Sequence, residues 1–338
     1  MSSLKVCTEC VLPETFPRIQ FDEEGRCNYC RSFKGIANLS SQKESYRKKF
    51  EALVKEHRGR GAYDVLMCYS GGKDSTYTLM LLKKEYGLNI LAVTLDNGFV
   101  SERAVKNIGA VVDSLAVDHL FFKPSFDSLR KVFRECAARD IYPPKTLERA
   151  STICTSCMAV VKYSALRLAA EKDIPLLAFG WSPGQAPLAS SILKNNPQML
   201  RVMQKALFEP LHKIVGGGIR PYFLEEEHFS GDYRFPYNIH PLAFLEYSEE
   251  GIYNSISRLG WEPPRDVDAN STNCLLNSFA NMVHKDRFGF HPYAFEMANL
   301  VRQGHIDRAV ALDKLNQQEV QSLERDAKIE LLIGDGQG

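Results

Sequence analysis

An excess of charge of either sign is missing from this sequence. Its 42 lysines and arginines are balanced by 41 aspartates and glutamates, a formal charge of +1. That argues against a polyanion held by bulk charge and leaves only a local basic patch open to such a role. Long apolar runs are missing too. Nothing approaches 18 uncharged apolar residues, and the opening MSSLKVCTECVLPETF lacks the apolar stretch of a secretory signal. The expectation is a cytoplasmic chain with no membrane span. Internal repeats and low-complexity tracts are absent. With 44% hydrophobic and 25% charged residues, the 338-residue chain has the balance of a globular protein of about two domains.

What the sequence does have is cysteine, nine in all. In a reducing compartment these are not expected to be disulfides, and their placement says more than their number. Three CxxC pairs stand out, Cys7 with Cys10, Cys27 with Cys30, and Cys154 with Cys157, beside isolated Cys68, Cys136 and Cys274. The first two pairs bracket CTECVLPETFPRIQFDEEGRCNYC, a polar, turn-rich stretch with too few apolar residues for a core of its own. Their spacing is that of two zinc knuckles closing one tetrahedral four-cysteine site, with DEEG as the turn between two short strands. Four free thiols would leave the segment without a reason to fold. Cys68 and Cys136 fall inside a strand and a helix face, where core thiols are the commoner reading.

Beyond this module, LSSQKESYRKKFEALVKEHRGR carries Tyr46, Phe50, Leu53 and Val54 at helical spacing. Strand and helix patterns then alternate: Val65 to Cys68, a helix after Asp74, a second strand ending at Asp96, a helix over 101–115, DHLFFKP, a helix through SFDSLRKVFRECAARD, another after CTSC, and IPLLAFGW. Such alternation predicts an α/β fold with a doubly wound parallel sheet, whose ligand site lies at the carboxyl ends of the strands. Ser70, Asp96 and Gly180 fall at such ends. Past Trp181 the pattern loosens, and Gly216 to Gly218 with the prolines suggest loops or a lid; helical spacing returns from Glu249. The expected organisation is a zinc module over 1–36, a linking helix over 37–62, an ATP-binding α/β domain over 63–240 and a helical C-terminal region over 241–338.

SGGKDS, residues 70–75, follows a strand and opens a helix, so its backbone N–H groups can face phosphate. A Walker A loop needs glycine where Met67 stands and Ser or Thr where Asp74 stands, and the dinucleotide fingerprint fails equally. The stretch matches SGGxDS at every fixed position, and the chain thereby resembles the PP-loop superfamily of HUP-like enzymes that split ATP between its α and β phosphates. The resemblance implies ATP and Mg²⁺ as cofactors and assigns nucleotide binding to Ser70, Gly71, Gly72, Lys73, Asp74 and Ser75. It gives Asp74 the cap or the magnesium, sets Lys73 beside departing pyrophosphate, and places Thr94, Asp96 and Gly180 at the nucleotide. It also implies adenylation of a carbonyl or amide oxygen, which a sulfur or nitrogen nucleophile then displaces with AMP.

Two readings of the nucleophile follow. Cys154 and Cys157 plus distant Cys274, in the polar DANSTNC, resemble the tRNA 2-thiolation enzymes of this superfamily, in which three cysteines hold a [4Fe-4S] cluster. That reading implies sulfur transfer and makes the three cysteines catalytic together with Asp74 and Lys73. The N-terminal four-cysteine segment instead resembles N-acetyl sugar amidotransferases, which take ammonia from a separate glutaminase subunit; they carry histidine after the later CxxC, where this chain has Met158. A second zinc, a redox pair or structural thiols stay open for Cys154, Cys157 and Cys274, as does a nucleotide-sensing module without chemistry. The partners expected are a small-molecule or nucleobase acceptor, with a sulfur-donor protein or a glutaminase as the source and tRNA the less favoured acceptor. A homodimer is compatible. His240, His284 and His291, with Lys285, Asp286 and Arg287, are secondary candidates for substrate contact.

Overall fold

The computed structural model describes residues 4–265, 267, 271–317 and 321–333. Its centre is one sheet of six strands: β1 Val65–Cys68, β2 Ile90–Leu95, β3 Asp118–Phe122, β4 Leu176–Phe179, β5 Ile192–Lys194 and β6 Tyr237–Ile239. They lie in the order β3-β2-β1-β4-β6-β5, parallel except for β5, which pairs antiparallel with β6. The expected doubly wound sheet is present, with an antiparallel edge strand. Because successive side chains of a strand point to opposite faces, Val65 and Met67 of β1 enter one core and Leu66 the other. Both faces of the central strands are therefore apolar, as a sheet covered by helices on both sides requires.

On one face pack the helices Ile36–His57, Glu102–Leu115, Glu249–Ser257, Ala294–Arg302 and Arg308–Asn316. On the other pack Phe126–Ala138, Thr152–Glu171, Pro197–Val215, Asn277–Phe288 and Gln321–Glu330. Thr152–Glu171 is long and apolar enough to cross a membrane by length and composition. It carries Lys162 and Arg167, however, and buries Ile153, Val160, Tyr163 and Leu166 in the core.

The four-cysteine module shares this core rather than standing apart. Phe16 packs on Phe290 and Phe295, with ring centroids 5.1 and 5.6 Å apart. Arg308 donates to the carbonyls of Cys7 and Cys10, and Thr15 to that of Gly289. The DEEG turn is present, but an isolated bridge between Phe21 and Cys27 flanks it in place of the two short strands expected.

Three local expectations are corrected. The region after Trp181 contains the 19-residue helix Pro197–Val215, started by Asn196, whose side chain accepts from the Met199 N–H. Gly216–Tyr222, expected as a loop or lid, is a 3-10 segment with Ile219 and Tyr222 buried. CTSC does not precede its helix; it occupies the first turns, because Ser151 caps the helix three residues before Cys154.

β1 is the point where the strand order reverses, with β2 on one side and β4 on the other. The crevice beyond the carboxyl ends of β1 and β4 is the binding position of such sheets.

Candidate functional site

The SGGKDS turn occupies that crevice. Gly71 has φ +77°, and a Cβ there would stand 2.7 Å from Ile108, so glycine is required twice over. Gly72 takes the cap position of the Lys73–Met80 helix without a side-chain bond. The Ser70 and Ser75 hydroxyl oxygens lie 3.0 Å apart, and both residues line one cavity of about 530 Å³. β4 presses closely on this helix: a Cβ on Gly180 would come within 2.3 Å of Ser75 Cα.

Asp74 does not cap the helix. Its carboxylate is held by the Lys73 ammonium at 2.9 and 3.0 Å and by the Tyr247 hydroxyl at 3.3 Å. Burial works against the Lys73 charge, but Asp74, Tyr247 and Glu249 together hold its pKa well above the usual lysine value. Glu249 is in turn clamped by Lys314 at 2.8 and 2.9 Å.

Thr94 lines the cavity and donates to the Tyr69 carbonyl at 2.6 Å, tying β2 to the start of the loop. Asp96 is turned away from it: its carboxylate accepts from the Gly98 N–H at 2.8 Å and pairs with Lys123 at 3.3 Å.

The C-terminal segment finishes the loop. Thr272 Oγ1 accepts from the Lys73 N–H at 3.1 Å, and Trp261 Nε1 donates to the Gly71 carbonyl at 2.9 Å. Two backbone bonds, Ser101 N–H to the Asn273 carbonyl and Leu275 N–H to that of Phe99, stitch the same segment to the loop after β2, with Val100 bridging Cys274. Of the stretch DANSTNC, residues 268–270 lie outside the described residues.

This stitching brings Cys274 to the cavity that Cys154 and Cys157 line from the first turns of their helix. Burial pushes the Cys154 thiol up to about 11 and Cys157 to about 12, and raises Cys274 as well. A donor nevertheless reaches two of the sulfurs: Asn97 Nδ2 lies 3.5 Å from Cys157 and 3.8 Å from Cys274. Cys68 lines the cavity too, its thiol pushed up by burial. Cys136 is buried in the core, raised to about 12 for the same reason.

The N-terminal thiols have a different geometry. Cys7 and Cys30 sulfurs lie 3.9 Å apart, Cys10 and Cys27 sulfurs 3.7 Å, and all four lie within 4.8 Å of one another. A tetrahedral ion with thiolates at about 2.3 Å puts them about 3.8 Å apart, so the tetrad fits one such metal. Hydrogen bonds from Cys10 and Cys30 favour the thiolate at Cys27. Among the described residues no other set of three or more potential ligand atoms is drawn together in this way. Cys154, Cys157 and Cys274 line one cavity without their three sulfurs all lying within 4.8 Å of one another.

Glu296 and Asn97 line the cavity and were not legible in the sequence. Glu296 accepts from the Ser182 hydroxyl at 2.6 Å, and burial lifts its pKa to about 7. Asn97 sits one residue beyond the Asp96 that was singled out, and only the fold shows that it faces two cysteines. The secondary candidates lie elsewhere. His240 stacks on Trp181 at 4.5 Å, and burial lowers its pKa to about 3. His284 is buried against Phe288 and Phe290, lowered to about 4. Arg287 is spent on Asp140 and the carbonyls of Cys136 and Ala137.

The chain resembles the PP-loop ATP pyrophosphatases. The resemblance lies in the SGGKDS turn and its place between β1 and the Lys73–Met80 helix. No family model matches the sequence. An uncharacterized protein of Methanocaldococcus jannaschii is 23% identical over 316 residues, 93% of this chain and 94% of that one. A glutamine-hydrolyzing GMP synthase of Pyrobaculum aerophilum is 28% identical over 106 residues, 31% of this chain and 21% of that enzyme. Among solved structures, a U34-tRNA thiolase of Methanococcus maripaludis with its [4Fe-4S] cluster aligns over 95% of this chain and 96% of its own, at 17% identity and TM-score 0.36. An NMN synthetase of Francisella tularensis aligns over 88% and 97%, at 12% identity and TM-score 0.37.

Proposed function

We propose that the chain uses ATP to adenylate a carbonyl oxygen of its acceptor, releasing pyrophosphate, and that sulfur then replaces this oxygen as AMP departs. The observation that carries the reading is convergence: Cys154, Cys157 and Cys274 come from distant parts of the chain to the cavity lined by Ser70 and Ser75. Three cysteines lining one cavity, two of them sharing the Asn97 amide as donor, fit a [4Fe-4S] cluster. Such a cluster would supply an iron without a protein ligand, a point at which sulfur can be held.

The chain's own groups supply the rest. The backbone of Gly71 and Gly72 allows close approach of phosphate, Ser70 and Ser75 offer hydroxyl donors, and Lys73 offers a charge for the departing pyrophosphate. Asp74, already paired with Lys73, is the carboxylate available to Mg²⁺. Glu296 is a carboxyl poised to exchange a proton near neutral pH. Zinc at the N-terminal tetrad would act in folding, contributing on the order of 10 kcal/mol.

The nitrogen-transfer reading draws on the N-terminal segment, whose cysteines do not line the cavity, on the SGGKDS loop, and more loosely on the later CxxC, where Met158 stands in place of histidine. Asp74→Ala should lose pyrophosphate release from ATP while zinc content stays at the wild-type level. Release at the wild-type rate would sink the assignment of the loop.

A further inference from the structure

Asn97 belongs to the short loop after β2 that also fastens the Cys274 segment. Its side chain is buried, with 8% of the residue exposed. Oδ1 accepts from the Phe99 N–H at 2.9 Å, and since that backbone group can only donate, the orientation of the amide is fixed. The NH₂ end must then face the sulfurs of Cys157 and Cys274, at 3.5 and 3.8 Å. Among the described residues no other side chain donates to two of Cys154, Cys157 and Cys274. A neutral thiol is a weak acceptor. A buried amide that commits its N–H groups to two sulfurs is well matched only when those sulfurs carry negative charge, as metal-bound thiolates do.

We infer that Asn97 is a positioning residue for the metal centre: it sets the separation of the Cys157 and Cys274 sulfurs and stabilises their charge, making the bound cluster easier to reduce. This rests on the three-cysteine cluster reading. The direction follows from electrostatics. Reduction adds negative charge to the cluster and its thiolates, hydrogen bonds to sulfur favour the more negative state, and so they raise the reduction potential.

Asn97→Asp separates this role from a merely structural one, because Asp keeps the acceptor for the Phe99 N–H and replaces the NH₂ group with an oxygen. The experiment is an anaerobic redox titration, followed by EPR, of reconstituted wild type and Asn97→Asp, with iron, sulfide and zinc measured on the same samples. The expected result is wild-type zinc, a midpoint potential shifted negative, and iron lost to a chelator several-fold faster. Should the new carboxylate prevent loading, Asn97→Ala gives the same comparison without added charge. Failure of both to load iron, with zinc and Tm unchanged, supports positioning as well. A loaded variant with the wild-type potential and iron retention overturns the inference. Iron missing from the wild type itself removes the centre and the inference with it, and that outcome is recognisable because it does not depend on the substitution.

Discussion

Glu296 faces the cavity with a carboxyl that burial holds protonated up to about pH 7, with the Asp74 charge adding to the effect. In the unfolded chain the same group ionises near pH 4.5, so folding opposes its ionisation. Stability is then undiminished below about pH 4.5, falls as pH rises toward 7, and stays lowered above it. The penalty is about 3–4 kcal/mol, at about 1.4 kcal/mol per pH unit. Glu296→Gln keeps an acceptor for Ser182 and removes the ionisation. Its denaturant midpoint should therefore gain on that of the wild type between pH 5 and 8, whereas parallel pH profiles would show that the carboxylate is solvated. At the same scale, Lys73 shows how a lysine at a variable motif position is fixed by groups distant in sequence: Tyr247 and Glu249 lie more than 170 residues away and hold it beside Asp74.

At the scale of elements, the approach of β4 to the Lys73–Met80 helix decides the shape of the crevice. A methyl group on Gly180 would meet backbone atoms of Ser75 at 2.3 and 2.7 Å, with no flexible side chain to give way. Gly180→Ala should therefore push the loop helix from the strand, weakening ATP binding at least tenfold and lowering Tm. Titration of ATP by calorimetry, beside the thermal melt, checks this; unchanged affinity would mean that the helix can shift without cost.

The elements that the sequence reading identified are those with unbroken periodicity. Val65–Cys68 is an uninterrupted apolar run, and Glu102–Leu115 has a capping serine and a one-sided apolar face. Pro197–Val215 escaped because Pro210 lies inside it and few of its residues are buried. β5 and β6 have three residues each and gain strand character only from pairing. The loop was legible because its chemistry is local. Asn97, Glu296 and the wedge of Thr272 and Trp261 were not, because their roles come from contacts that no local pattern encodes.

As a whole, the molecule is closed by its ends. The N-terminal module is held by the C-terminal region, Phe16 packing on Phe290 and Phe295 and Arg308 donating to the Cys7 and Cys10 carbonyls, while Trp261 and Thr272 bond the backbone of the SGGKDS turn. Cys274 reaches the cavity by this route, so a cysteine that looked isolated in the sequence lines it together with Cys154 and Cys157. The central claim is that these three cysteines hold an iron-sulfur centre distinct from the N-terminal zinc. Iron, labile sulfide and zinc per chain on anaerobically purified wild type and Cys274→Ala test it most directly. The account predicts about four irons and one zinc in the wild type, with iron weakened or lost and zinc kept in the variant. Zinc alone, with no iron after anaerobic reconstitution, would contradict it and turn the search toward nitrogen transfer.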